Sequence, residues 1–290
     1  MRRFLTLLAA GLFAAGGTLA ADDAITIKVK QPGPGDVVKE TKTEKGVNKL
    51  TLNAPGVDQA NEEKVNTKFA YTDEVIEKPA GAKQPNKVKR TYETASISKG
   101  TKEEEVGLAG KVVLIEKKGD KYSFTIDGKD VPRLAADILR KEFGKDKEIT
   151  EEDFLPKGPV KVGDVWKLDI AKFAKDLSSD AEMTADVDKS SGTGKLLKVY
   201  DKDGHKFGVM EVKLELVITK GGRQGQVMEM KPGSSMKVTA NIDACIDGTL
   251  ADGKSKVHVK ADLEGSMNNI TVKVDSTAEE EATTEEVKKK

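Results

Sequence analysis

Alternation of apolar and polar side chains between residues 236 and 274 is the feature that most constrains the fold. In Met236–Ile246 the even-numbered positions are apolar, in Val257–Leu263 the odd-numbered ones are, and in Ile270–Val274 the even-numbered ones are again. Successive side chains of a β-strand point to opposite faces, so antiparallel neighbours must place their apolar sets on the same side. The pattern therefore predicts a three-stranded antiparallel meander with one apolar face and one charged face.

The same period of two recurs in earlier segments. Lys111–Glu116 and Tyr122–Ile126 flank a Lys-Gly-Asp turn, and Leu196–Tyr200 and Phe207–Ile218 flank the turn Asp201–His205. Alternating runs on either side of a short polar turn are typical of β-hairpins. Both pairs are therefore predicted to be hairpins.

Two short segments follow a helical period instead. Apolar residues recur at helical spacing in about 131–143 and in about 170–178, where Asp169 occupies the N-cap position. The predicted fold class is thus mainly β. We expect a strongly curved antiparallel sheet, or two half-barrel lobes, closed by two short α-helices.

The N-terminus resembles a secretory signal peptide. Arg2 and Arg3 precede the apolar run Phe4–Ala15, and small residues lead to Ala20. We predict cleavage after Ala20, or after Ala21 as the second choice, and an extracytoplasmic location, periplasmic or secreted. No later apolar run approaches the length of a transmembrane helix, so no membrane span is expected in the processed chain.

Composition shifts divide the chain further. After the signal peptide (1–20) we predict an N-terminal β lobe with one helix over 21–153 and a C-terminal β lobe with one helix over 154–275. Residues 276–290 consist of Thr, Ala and charged residues, which predicts a disordered tail. Within the C-terminal lobe, Ser190–Gly194 is predicted to be a flexible joint.

The charge balance restricts the class of partner. The chain has 49 Lys and Arg against 49 Asp and Glu, and the removal of Arg2 and Arg3 leaves a slight negative excess. No basic cluster is available to bind nucleic acid. With 34% charged and only 4% aromatic residues, the chain is expected to have a lean core and a heavily solvated surface.

The only tryptophan marks a packing centre. Trp166 follows a Gly-Asp turn in the segment Phe154–Leu168 (FLPKGPVKVGDVWKL), directly before the second predicted helix. Pro159–Trp166 (PVKVGDVW), preceded by Leu155-Pro156, resembles a segment of uncharacterised exported bacterial β-rich proteins. That resemblance implies an extracytoplasmic β fold and identifies no catalytic residue. A more distant likeness is to periplasmic lipoprotein carriers, in which a curved sheet wraps an apolar pocket covered by helices.

Chemistry-bearing residues are scarce, and no catalytic constellation is evident. The turn Asp247–Ser255, if centred, pairs Ile246 with Val257 and Cys245 with His258 on the polar face. A cysteine beside a histidine is either an activated thiolate, part of a metal site with Asp243 as a third ligand, or an exposed pair without function. We predict no metal and no cofactor, and a thiol-dependent enzyme is the second alternative function.

The flexible, polarisable side chains of the methionines are the other candidate feature. They either fill gaps in a core that is short of aromatic residues, or line a pocket for an apolar ligand. The leading hypothesis is a non-enzymatic binding or structural protein whose partner is an apolar small molecule or another exported protein. The first alternative is a carrier of lipid or another apolar molecule. The candidate pocket residues are Trp166, Phe173, Leu177, Met210, Met228, Met230 and Met236.

Overall fold

The architecture is that of one curved antiparallel sheet, described here from a computed structural model. The structure describes residues 23–143, 149–181, 183–223, 226–267 and 270–287. The predicted signal peptide, residues 1–20, lies outside them. Within these ranges the strands join a single sheet with two short helices, so the predicted fold class is confirmed.

The first half of the sheet is built from seven strands and followed by the first helix. These are β1 (Val37–Ala54), β2 (Val57–Glu77), β3 (Lys87–Lys99), β4 (Lys102–Glu105), β5 (Val112–Lys118), β6 (Lys121–Ile126), β7 (Lys129–Asp130) and α1 (Arg133–Phe143).

The second half begins with a short 3₁₀ turn, Glu151–Phe154. It continues with β8 (Val165–Lys167), α2 (Ile170–Ala181), β9 (Thr184–Lys202), β10 (His205–Arg223), β11 (Gln226–Met230), β12 (Ser235–Cys245), β13 (Gly253–Met267) and β14 (Ile270–Glu286).

Sheet order explains how the two halves meet. The strands run in the order β7-β6-β5-β3-β2-β1-β14-β13-β11-β10-β9-β8, with β12 paired to β10 and β13 and β4 paired to β3. The first and last long strands, β1 and β14, are therefore neighbours at the middle of the sheet. Their pairing runs from Val38 opposite Glu286 to Asn53 opposite Thr271.

Buried side chains form two clusters on one face of the sheet, which we call the inner face. The first core includes Ile115, Phe124 and Leu139 and is covered by α1. The second core includes Phe173, Leu177 and Leu216 and is covered by α2. The clusters agree with a lobe on either side of the middle strands, whereas the hydrogen-bonded sheet is continuous, so the division at residue 153 stays a prediction.

The prediction that the strands of the C-terminal meander place their apolar residues on the same face is confirmed. Val238 pairs with Val259 and Met236 with Ala261, so apolar residues of β12 and β13 share the inner face. Leu263 pairs in turn with Val274 of β14.

The predicted disordered tail is wrong for residues 276–286. They continue β14, which is hydrogen bonded to β1 on one side and to β13 on the other. Backbone pairing on both edges fixes a stretch whose composition alone favours disorder. Residues 288–290 lie outside the described ranges.

Pairing on both edges also decides the structure of two glycine-containing segments. Residues 37–52 form one continuous strand through Gly46, because β2 and β14 hold both of its edges. Ser190–Gly194 is part of β9 and pairs with β10, so it is not a joint.

Candidate functional site: a cavity at the central seam

The inner face of β1 and β14 carries polar residues where the neighbouring strands carry apolar ones. We call this stripe the central seam; its members are Glu40, Lys42 and Glu44 on β1 and Glu280 and Thr284 on β14. These five residues belong to neither hydrophobic cluster. The seam therefore separates the two cores.

A cavity of about 630 Å³ opens at one end of the seam. Its floor is formed by inner-face residues of β1, β2, β3 and β14, and its walls by the loop 78–85, the end of α1 and the segments 29–34, 149–152 and 250–252. Apolar side chains such as Val38, Val75 and Phe143 contribute much of the lining. This volume is within the range of small-molecule sites.

Strand register places the polar lining in two adjacent rows. Thr284, Glu40, Tyr71 and Tyr92 lie opposite one another across β14, β1, β2 and β3. Val38, Asp73 and Arg90 form the next row, two residues along each strand and on the same face.

Arg90 is the centre of the second row, and its side chain is only 2% exposed. Its guanidinium donates to both carboxylate oxygens of Asp73, at 2.7 and 2.6 Å, and to both of Glu142, at 2.8 and 2.7 Å. It also lies 3.7 Å from the centroid of the Tyr71 ring. Two carboxylates and an aromatic face therefore satisfy this buried cation.

Buried polar atoms without a protein partner distinguish this cavity. Within the described ranges, Glu40 Oε1, Gln84 Oε1 and Thr284 Oγ1 are buried without a hydrogen bond, and all three residues line the cavity. Glu40 and Thr284 are 7% and 3% exposed. Because an unsatisfied buried group costs about 1–3 kcal/mol, the presence of three of them at one cavity makes it the candidate functional site.

Glu40 has an unusual protonation equilibrium. Burial is the main cause that raises its pKa to about 7, and the nearby carboxylate of Glu142 adds to the rise, while Arg90 and Lys42 oppose it. Near neutral pH this carboxyl group is therefore present in both forms, and it can donate a hydrogen bond or carry a negative charge.

Glu280 repeats this behaviour further along the seam. Its Oε2 pairs with Lys42 Nζ at 2.8 Å, while its Oε1 is buried without a partner. Burial raises its pKa to about 7 against the attraction of Lys42.

The predicted pair of Cys245 and His258 is wrong. His258 lies opposite Thr239, six positions from Cys245 on β12, which corresponds to roughly 20 Å along the strand. The predicted parity is correct but the register differs, because β13 begins at Gly253. The first two inner-face residues of β13 are Gly253 and Ser255. Because neither is a large apolar residue, the alternating pattern begins only at Val257 and does not reveal where the strand starts.

Cys245, at the end of β12, is instead linked through the following turn to the other histidine, His205 at the start of β10. Its buried thiol donates to Asp247 Oδ1 at 3.1 Å, the Thr249 hydroxyl also donates to Asp247, and His205 Nδ1 lies 2.7 Å from Thr249 Oγ1. These bonds close the turn between β12 and β13. Asp243, the predicted third ligand, accepts from Tyr200 at 2.7 Å, and no group of three metal-ligating side chains is found within the described ranges.

The predicted pocket residues lie away from this cavity. Phe173, Leu177, Met210 and Met236 are buried in the second core, while Trp166 and Met230 are partly buried against it. The methionine side chains of 228 and 230 lie over Gly265 and Gly221. In the structure these side chains pack against other residues of the protein, and their role in a ligand pocket stays a prediction.

The cavity residues were missed because their strands were interpreted by apolar residues alone. Val88 and Tyr92 share a strand face in the sequence, and Arg90 lies between them on that same face. A charged residue at a core-facing position was the signal that could have found this site. The contribution of Glu40 depends on β14 and was not readable from β1 alone.

Fold and site together define a β protein with a mostly apolar cavity that also contains buried polar groups, beneath one curved sheet. Among the described residues, no helix is both long and apolar enough to cross a membrane. No family model matches the chain, and no curated protein does. The resemblance of Pro159–Trp166 to exported proteins therefore stays a prediction.

Two solved structures share a distant overall similarity. One is a lipovitellin structure concerned with lipid–protein interactions, with a TM-score of 0.38 and 7% identity over 88% of this chain. The chain spans about a quarter (25%) of the length of that lipovitellin chain. The other is an outer membrane channel from Pseudomonas putida F1, with a TM-score of 0.22 and 8% identity over 89% of this chain and 97% of that chain.

Proposed function

We propose that the protein is a non-enzymatic binding protein whose cavity at the central seam holds a small organic molecule. The observation that carries the proposal is the convergence of three partnerless buried polar atoms, on Glu40, Gln84 and Thr284, at one cavity. A ligand with polar groups at matching positions would satisfy them, and its carbon skeleton would contact Val38, Val75 and Phe143.

Binding is favoured over catalysis by the character of the lining. The residues that line the cavity include neither cysteine nor histidine. Arg90 is held by two carboxylates and stacked on Tyr71, which fixes its position. Such a preorganised, fully paired cation supports a recognition site and leaves little freedom for proton transfer.

An extracytoplasmic location is part of the same proposal. It is supported by the basic and apolar N-terminal sequence around Arg2, Arg3 and Phe4–Ala15. N-terminal sequencing of the protein recovered from a periplasmic extract would test it, with Ala21 or Asp22 expected as the first residue.

Carriage of a lipid or another apolar molecule is the second candidate. Beside the second core the inner face continues with Leu50, Leu52 and Val272, which are only partly buried, and with Val274, which packs against that core. Native mass spectrometry of the purified protein would show bound lipid if this surface carries one.

A matched pair of variants tests the proposed cavity. Thr284→Leu places an apolar side chain in the cavity, whereas Thr283→Leu makes the same change on the opposite face of β14. In a thermal-shift screen with neutral, cationic and anionic amphiphiles, we expect compounds that raise the melting temperature of the wild type and of Thr283→Leu. The same compounds should stabilise Thr284→Leu much less, since the substitution removes the Thr284 hydroxyl and narrows the cavity beside Glu40.

Equal stabilisation of Thr284→Leu and wild type by every active compound would contradict the proposed site. So would a complete lack of shift in the wild type at millimolar concentrations. Thr284→Leu should itself fold, because it removes a buried hydroxyl that has no partner.

A further inference from the structure

We infer that the ligand of the seam cavity is an organic cation, bound through an ammonium or related group at Glu40. This inference rests on the proposed function. It concerns the chemical class of the ligand, and the structure supports it through the balance of acceptors, donors and charges around the cavity.

The partnerless groups of the cavity are mainly acceptors. The Gln84 amide nitrogen donates to the Glu142 carbonyl at 3.3 Å, which leaves the carbonyl oxygen of Gln84 as the partnerless atom. Glu40 Oε1 accepts when it is ionised, and Thr284 Oγ1 can accept as well as donate. A ligand that carries several N–H donors would satisfy all three.

The deep cations of the lining are already engaged. Arg90 is shared by Asp73 and Glu142. Lys30 pairs with Glu286 at 2.7 Å, and Lys78 donates to the Pro32 carbonyl at 3.2 Å. The buried carboxyl groups thus outnumber the buried guanidinium, and an anionic ligand would meet excess negative charge.

A metal cation fits this site poorly. No cluster of three metal-ligating side chains occurs in the part of the chain that the structure describes. An organic cation needs only hydrogen-bond acceptors and apolar walls, and both are present.

Three probes with the same five-carbon chain isolate the charge. Cadaverine carries two ammonium groups, 1,5-pentanediol two hydroxyls and glutarate two carboxylates. By isothermal titration at pH 8 we expect cadaverine to bind at least about tenfold more tightly than the diol, and glutarate to bind most weakly. Glu40→Gln should remove most of the preference for cadaverine, while Glu93→Gln, on an exposed outer position of β3, should keep it.

Protonation supplies a second readout. Glu40 faces Arg90 and Tyr71 from β3 and β2, Asp73 from β2, Glu142 from α1 and Lys42 from β1. Because the amines of cadaverine stay charged below pH 9, loss of the Glu40 proton should raise affinity at least about fivefold between pH 5.5 and 8. The Glu40→Gln variant should lack this rise.

The outcomes separate the two proposals. If the diol binds as tightly as cadaverine and both are lost in Thr284→Leu, the inference about charge is overturned while the binding site stands. If cadaverine binds Thr284→Leu as tightly as it binds the wild type, its binding site is not this cavity, and the inference is also overturned. Absence of cadaverine binding overturns it too, whatever other compounds the amphiphile screen finds, and this outcome does not depend on any variant folding.

Discussion

At the scale of single residues, the inner face of the sheet contains ionisable side chains that are almost fully buried. Glu40 and Arg90 both occupy inner-face positions of central strands and are 7% and 2% exposed. Arg90 is compensated by Asp73 and Glu142, whereas Glu40 lies in a site where its charged form is disfavoured. The two residues therefore contribute to stability in opposite ways.

Glu40 should make the protein less stable as the pH rises. The folded state has a pKa of about 7 at this carboxyl group against an ordinary value of 4.5, so between these values it keeps a proton that the unfolded chain has released. By linkage, this group lowers the free energy of unfolding by roughly 3 kcal/mol between pH 4.5 and 8. Glu40→Gln should remove that fall, because an amide does not titrate.

Urea unfolding of wild type and Glu40→Gln at pH 4.5, 6 and 8 measures this effect. The free energy of unfolding of the variant should increase relative to that of the wild type as the pH rises, and most of this increase should be reached by pH 8. Glu93→Gln, at an exposed carboxylate that pairs with Lys39 at 2.8 Å, serves as the control for loss of a surface charge. A difference between Glu40→Gln and wild type that stays constant over this range would refute the raised pKa.

At the scale of elements, β8 and β9 depend on a contact between an aromatic residue and a glycine. Trp166 pairs with Gly194, and its indole lies over the position where a side chain would otherwise be. The indole Nε1 donates to the Phe154 carbonyl at 2.9 Å, which ties the 3₁₀ turn to the strand. Asp169 then caps α2 through the Lys172 amide at 3.3 Å, as the sequence predicts.

Gly194→Ala should therefore destabilise the protein. A Cβ at this position would overlap the indole ring, and the forced shift of Trp166 should lower the free energy of unfolding by about 1–3 kcal/mol. In a Trp166→Ala background the same change should have little effect, because the clash is gone.

Gly158→Ala is the matched control for this pair, since nothing lies within 4 Å of its added methyl group. Denaturant unfolding followed by circular dichroism gives the free energy of unfolding of the wild type, the three single variants and the double variant. If Gly194→Ala is as harmless as Gly158→Ala, or if the effects of Trp166→Ala and Gly194→Ala simply add, the proposed contact is wrong.

At the scale of the whole molecule, β14 joins what would otherwise be two separate sheets. It lies between β1 and β13, and its inner face belongs to the seam and to the cavity. Pairing of the first long strand with the last one brings Thr284 beside Glu40, 244 residues away along the chain. The cavity exists only because this closure is made.

A proline in β14 should accordingly have a global effect. Ala282 pairs with Lys42 on one side and Ser255 on the other, so Ala282→Pro removes an amide from the centre of the sheet. We expect a loss of at least about 3 kcal/mol in the free energy of unfolding, or failure to fold. Hydrogen exchange of the wild type should also show residues 276–286 as strongly protected.

Ala80→Pro provides the comparison. Ala80 follows Pro79 in a turn closed by the bond from the Ala82 amide to the Pro79 carbonyl at 3.0 Å, and proline is favoured at that turn position. This variant should be nearly neutral. Rapid exchange over 276–286 together with a mild effect of Ala282→Pro would restore the interpretation of this segment as a tail.

The local periodicity of the strands and helices can be derived from the amino-acid sequence alone. Alternation in Met236–Ile246 and its neighbours fixed an antiparallel sheet with one apolar face, and helical spacing after Asp169 fixed the position of α2, because side-chain direction follows directly from backbone geometry.

Strand pairing and register, by contrast, follow from long-range contacts. A register shift by an even number of residues preserves the apolar face, so alternation could not distinguish His258 opposite Cys245 from His258 opposite Thr239. Nor could composition show that residues 276–286 form a strand, since its stability comes from backbone bonds to β1 and β13. The cavity depends on those long-range pairings, and therefore no local stretch of the chain contains it.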